Sequence, residues 1–227
     1  MPAAFANAMQ WLARNRQVLL FALLVATTAL GPVLAALPSG RVLLNVCLGL
    51  TLLATTISPM EERARGRGFI IFVMLAIALG LAPLRQPLGV TGPLTMVVWS
   101  VIAFIAAARA LRYSVSSRRI DLRHLLAALN AYLLVGVFLG ALWVVMEELS
   151  PGSLLQGGQP IPDMSLPDGI YFSFVTLATL GYGDITPVTP IARGLAVFEA
   201  VFGQLYLAVM VARLVSLRIA EETRDAQ

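Results

Sequence analysis

The stretch Thr179-Leu180-Gly181-Tyr182-Gly183-Asp184 carries two glycines at alternate positions and stands between two long apolar runs. Glycine permits backbone angles closed to other residues, so the carbonyl oxygens across this stretch can be turned to one side. A row of carbonyl oxygens is a set of hard ligands for a cation. The same residues also admit a tight turn, or the Gly-x-Gly-Asp of a membrane-embedded aspartyl protease. Protease chemistry needs two carboxylates sharing a proton. No other apolar run contains Asp, and the only acid within one is Glu199, so the second carboxylate is missing. A single His and a single Cys exclude a zinc centre, and Cys47 alone excludes an intrachain disulfide. The expectation is therefore no enzyme and no cofactor.

Several long elements must position this stretch. The chain has 227 residues, of which 59% are apolar and only 12% charged, with a mean hydropathy of +0.84. Soluble domains sit near 45–50% apolar, so a membrane protein is indicated. A bilayer core of about 30 Å asks for roughly 20 apolar residues per helical span. Residues 18–37, 42–60, 68–84, 92–111, 125–146 and 194–212 meet that demand, with a kink expected at Gly31-Pro32. Around Phe5, Met9 and Leu12 the chain reads equally as a short interfacial helix or a plain tail.

All sixteen basic residues are Arg, and they alternate in density from loop to loop. Thirteen fall before the first span, after the second, between the fourth and fifth, or after the sixth; only Arg41, Arg85 and Arg193 fall on the other side. By the positive-inside rule the protein is a multi-pass protein of the cell membrane with both termini cytoplasmic. The formal charge of +4 is thus a topology signal rather than a nucleic-acid surface. Arg-only, Ala-rich usage points to a GC-rich, prokaryotic source.

Between the fifth and sixth spans, residues 147–167 are rich in Gly and Pro and read as an outer turret. Ser165 followed by Asp168 then marks a helix start, with Pro167 tolerable in the first turn. A helix over 166–178 is about 20 Å long, enough to enter a bilayer but not to cross it. Its C-terminal, negative end would lie at mid-membrane and favour a cation there. Extended backbone returning from that depth must line a water-filled path or lie within protein.

Thr179 to Asp184, after a helix ending Thr176-Leu177-Ala178, resembles the selectivity filter of the potassium channel family. The resemblance covers about residues 122–220 and includes Pro187 after the filter and Gly203 twenty residues beyond Gly183. It implies an all-α membrane protein: six transmembrane helices, a re-entrant pore helix and a filter loop, assembled as a homotetramer around one pore. It implies K+ as permeant ion, held by the backbone carbonyls of Thr179, Leu180, Gly181 and Tyr182 and by the Thr179 hydroxyl. Leu180 departs from the family's usual Val, which keeps a weakly selective monovalent cation channel as the alternative. Gly183, Asp184, Tyr171, Thr176 and Glu199 would support the filter, with Ser173 or Thr176 satisfying Glu199. Gly203 would be a hinge, and Gln204, Leu207, Val211 and Val215 would face the cavity and gate.

The resulting organisation is a cytoplasmic segment 1–17, a four-helix peripheral domain 18–111, a linker 112–123, a pore domain 124–216 and a tail 217–227. Voltage-sensing relatives carry Arg at every third position of the fourth span. Residues 92–108 contain no Arg or Lys, so no conventional voltage gating is expected, nor a cytosolic regulatory domain after the sixth span. The arginines of Arg109–Arg123 would anchor topology or bind anionic lipid. Glu147, Glu148, Asp163, Asp168 and Asp184 would give the outer mouth a surface that concentrates cations, the first three reading equally as ordinary solvated loop acids. Trp143 reads as part of an interfacial aromatic belt.

Overall fold

The structure, a computed structural model, describes residues 2–35, 51, 91–115 and 122–225. The second and third spans, 42–60 and 68–84, lie outside the described residues. Two compact units divide the chain, Met1–Pro87 and Leu88–Gln227.

In the first unit, helix α1 spans Pro2–Ala35 without a break at Gly31-Pro32, so the N-terminal residues continue the helix of the first span. Its apolar stretch is Asn15–Gly31. Gln17, Leu20, Leu24 and Thr27 are buried, a three-four spacing that places them on one stripe. The Thr27 hydroxyl, though buried, is satisfied by donating to the Leu23 and Leu24 carbonyls at 2.8 and 3.0 Å.

The second unit begins with α2 (Thr91–Val115) and α3 (Leu122–Leu149). They run antiparallel: Tyr113 stacks on His124 at 4.9 Å, and Phe104 meets Phe138 at 5.3 Å. Both helices bury small residues, Ala103, Ala106, Ala107 and Ala110 on one and Ala127, Ala128 and Ala131 on the other. Lipid gives no hydrophobic drive to pair helices, so close backbone approach through small side chains supplies the packing energy instead.

Helix α4 (Leu166–Leu177) is the short helix expected from the sequence to be re-entrant. Ser165 caps it and forms a reciprocal capping box with Asp168. Glycines let it lie on α3: a Cβ at Gly140 would stand 2.6 Å from the Ile170 Cα, and Gly136 accommodates the Phe174 ring. Helix α5 (Pro190–Asp225) starts with Pro190 in its first turn and with the Ala192 amide donating to the Thr189 hydroxyl at 3.3 Å.

Three helices, Met96–Val115, Leu122–Leu149 and Pro190–Ser216, are long and apolar enough to cross a membrane among the described residues. The protein is mostly helical, but one part of the outer turret is not irregular. Strands β1 (Leu154–Gln156), β2 (Gln159–Pro160) and β3 (Ile185–Pro187) form an antiparallel sheet in the order β2-β1-β3. Gly157 and Gly158, at φ +56° and +81°, make the two-residue turn whose positive angles match strand twist. Beneath the sheet, Trp143, Leu154, Met164, Phe172 and Ile185 form the local core.

Candidate functional site

The loop after α4 takes its shape from the orphan carbonyls at that helix's C-terminal end. Phe174 accepts from Ala178 at 3.0 Å, Thr176 accepts from Thr179 at 2.9 Å, and Val175 accepts from Leu180 and Gly181 at 2.8 and 3.3 Å. The amides of residues 178–181 therefore point back to the helix.

Thr179, Gly181 and Gly183 have φ of 58°, 58° and 79°. Positive φ at every second residue reverses the alternation of peptide planes found in ordinary extended chain, so successive carbonyls turn to a common side. For a β-branched residue such as Thr179 the left-handed region costs about 1–2 kcal/mol. A threonine thus stands where glycine would be easier, and its hydroxyl accepts from the Gln204 side chain.

The outer end of the loop is tied to the turret. Asp184 accepts the Gly157 amide at 3.0 Å through its carbonyl, and β3 then pairs with β1, with Thr186 opposite Leu155. Tyr171 donates its hydroxyl to the Asp184 carboxylate at 2.7 Å. That hydrogen bond, with burial and the carboxylate charge adding to it, holds the Tyr171 hydroxyl above its ordinary pKa.

Behind the loop lies Glu199, fully buried on α5. It accepts from the Ser173 hydroxyl of α4 and from the Trp143 indole N–H of α3, the latter at 2.7 Å. One carboxylate thus joins three helices. Trp143 is buried at 0% exposure and does not belong to an interfacial belt, because its N–H is taken up by this carboxylate and its ring packs edge-on against Phe172 at 4.8 Å. Glu147 is likewise not a solvated acid. It is buried, and its two oxygens accept the Gly152 and Leu154 amides at 2.6 and 2.9 Å, so it shapes the turn leading into β1.

Gly203 is buried where α5 crosses the end of α4, and a Cβ there would run into the Leu177 carbonyl. In this structure it is a packing position within an unbroken helix. Its neighbour Gln204 donates from its side-chain amide to the Thr179 hydroxyl at 3.3 Å. Leu207, Val211 and Val215 continue the same side of α5 and are exposed, as are Leu180 at 57% and Tyr182 at 68%. Thr176 is half-buried on α4.

Two residues not singled out by sequence reasoning hold the arrangement together. Tyr206 donates to the Ala128 carbonyl of α3 at 2.6 Å. Arg213 donates to the Ser114 and Val115 carbonyls at the end of α2, at 2.8 and 3.0 Å. An Arg immediately after an apolar run reads as topology, and nothing in sequence says which helix end it meets.

Residues 128–218 match a family profile described as an ion channel. The chain is 35% identical over 88 residues to "Two pore potassium channel c" of Oryza sativa subsp. japonica, covering 39% of this chain and 19% of the relative. It is 36% identical over 78 residues to "Inward rectifier potassium channel Kirbac3.1" of Paramagnetospirillum magnetotacticum, covering 34% and 25%. To "Potassium channel subfamily K member 7" of Mus musculus it is 35% identical over 128 residues, covering 54% and 40%. No solved structure matches significantly. The chain spans less than half the length of each of these relatives. These matches support a potassium channel family for the segment 128–218, and three described helices long and apolar enough to cross a membrane fit a membrane protein. These likenesses point to a channel rather than an enzyme.

Proposed function

We propose that the protein is a potassium-selective channel that conducts K+ passively across the cell membrane as a homotetramer, with both termini cytoplasmic. The observation that carries this reading is the alternation of positive φ at Thr179, Gly181 and Gly183, with the amides of 178–181 directed back into α4. That arrangement leaves the carbonyls of Thr179, Leu180, Gly181 and Tyr182, with the Thr179 hydroxyl, free to replace the water of an ion. Gly183, Asp184, Tyr171, Thr176 and Glu199 brace them from behind and above. Gln204, Leu207, Val211 and Val215 would lie along the inner path and its gate, with Gly203 as the hinge above them.

Four copies are supported by what one chain leaves bare. A ring of ligands needs several loops, and α5 exposes Val197, Phe198, Val201, Leu205 and Val209 as well as the filter side chains Leu180 and Tyr182. Voltage gating in the usual sense lacks its charges. One elementary charge moved through the field is worth about 2.3 kcal/mol per 100 mV, and residues 92–108 of α2 carry none. Arg109 and Arg112 stand at the inner end, where anionic lipid is the proposed partner of the 109–123 segment.

The test is the reversal potential of the purified protein in a planar bilayer, with K+ on one side and Na+ on the other. A value near the K+ limit is expected. A value near zero overturns selectivity and makes Leu180 the first residue to replace.

A further inference from the structure

Three polar side chains interrupt the apolar run of α5 between Arg193 and Arg213: Glu199, Gln204 and Tyr206. Glu199 is buried and satisfied by α3 and α4, and Tyr206 is half-buried and satisfied by a carbonyl of α3. Gln204 differs, because it is exposed in the middle of a membrane-crossing helix. An exposed amide there is tolerated only where it faces other protein or a water-filled path.

Its position follows from its neighbour. Gly203 has no side chain, so α5 closes directly onto the Leu177 carbonyl at the end of α4. The next residue of α5 is thereby brought beside the first residue of the filter loop. The Gln204 amide N–H then donates to the Thr179 hydroxyl at 3.3 Å, and both residues remain exposed, so burial does not force the bond. A hydroxyl has two acceptor lone pairs, and an N–H that takes one fixes the direction of the other. The same amide carries a carbonyl oxygen, which is a hard ligand for a cation.

We propose that Gln204 and Thr179 together form a cation site at the inner mouth of the filter. The Gln204 N–H orients the Thr179 hydroxyl, and the Gln204 carbonyl oxygen meets the ion arriving from the cytoplasmic side. The ligand class is a cation of K+ size, monovalent in conduction, with Ba2+ as the divalent ion of similar radius. Four copies of the chain turn the pair into a ring, so the proposal rests on the tetrameric channel reading.

Block of outward K+ current by Ba2+ added on the cytoplasmic side tests it, with the full-length protein in planar bilayers. In Gln204→Leu the half-blocking concentration is expected to rise about tenfold, the effect of one lost polar ligand. Gln204→Glu keeps the length and adds charge, and there it is expected to fall about tenfold. Unchanged block in both variants overturns the proposal. So does a Gln204→Leu tetramer that is less stable but blocks as before, because Gln204 then serves only to join subunits. Should Gln204→Leu yield no channels, Gln204→Glu decides alone. The wild-type reversal potential, read in the same membranes, tests the channel itself and separates the two failures.

Discussion

The Trp143 indole donates to the Glu199 carboxylate at 2.7 Å across 56 positions of sequence, and Ser173 donates to the other oxygen. A buried acid with two donors is a three-helix joint. Removing one partner leaves buried polar groups unsatisfied, which costs about 1–3 kcal/mol each and more for a charged group. Glu199→Leu strands both the indole N–H and the Ser173 hydroxyl and is expected to destabilise the fold by about 2–5 kcal/mol. Glu199→Gln retains one acceptor and should lose less. Thermal unfolding in detergent, with Trp143→Phe completing a double-mutant cycle, checks both and should return a coupling energy well above zero.

Tyr171 and Asp184 hold the outer end of the loop, and pH should reveal it. The carboxylate raises the Tyr171 pKa above its ordinary 10.0. Stabilisation from a raised pKa is present in full below the ordinary value and disappears as pH rises through the raised one. Current through the wild-type protein should therefore decline faster under sustained activity as external pH is taken above about 10. Tyr171→Phe should show fast decline already at neutral pH and lose the alkaline dependence. A mutant indistinguishable from wild type at both pH values would remove the hydrogen bond from filter stability.

Glycines separate into those that permit contact and those that do not. Gly140 meets the backbone of Ile170, so Gly140→Ala must push α4 from its place and should destabilise by about 1–3 kcal/mol. Gly194 meets nothing within 4 Å inside α5. Gly194→Ala should stabilise by about 0.5–1 kcal/mol through helix propensity alone. Melting temperatures of the two variants should move in opposite directions.

Arg213 joins the end of α2 to the lower part of α5 through two carbonyls. Arg213→Gln shortens the reach and removes the charge-assisted character of both bonds. Open probability in single-channel records should change while the reversal potential stays that of the wild type, because Thr179 to Tyr182 are untouched. A shifted reversal potential would place Arg213 in the ion path instead.

Much of the second unit was legible because its signals are local. Ser165 and Asp168 announce a helix start within four residues, and Gly181 and Gly183 announce unusual backbone within three. Glu199 could be linked to Ser173 or Thr176 because an acid in an apolar helix needs a donor, and packing then selects Ser173. Trp143 escaped because an aromatic residue at the end of a span satisfies two rules, and only packing decides between them. Glu147 escaped for a related reason: its partners are backbone amides, which carry no sequence signature. The turret strands carry one local signal, the Gly157-Gly158 pair between short extended runs.

The uncovered side of α5 has a bearing on how the protein is made. An apolar helix face can rest against acyl chains as easily as against another helix, so a newly inserted single chain meets little penalty along Val197, Val201 or Val209. Residues 178–184 are different, for they stand exposed with backbone oxygens that acyl chains cannot solvate. The penalty for remaining solitary therefore falls on the loop, not on the helices. In the proposed tetramer, subunit association and the final shaping of residues 178–184 should proceed as one event, with the loop acquiring its ordered form only when neighbouring loops enclose a wet interior.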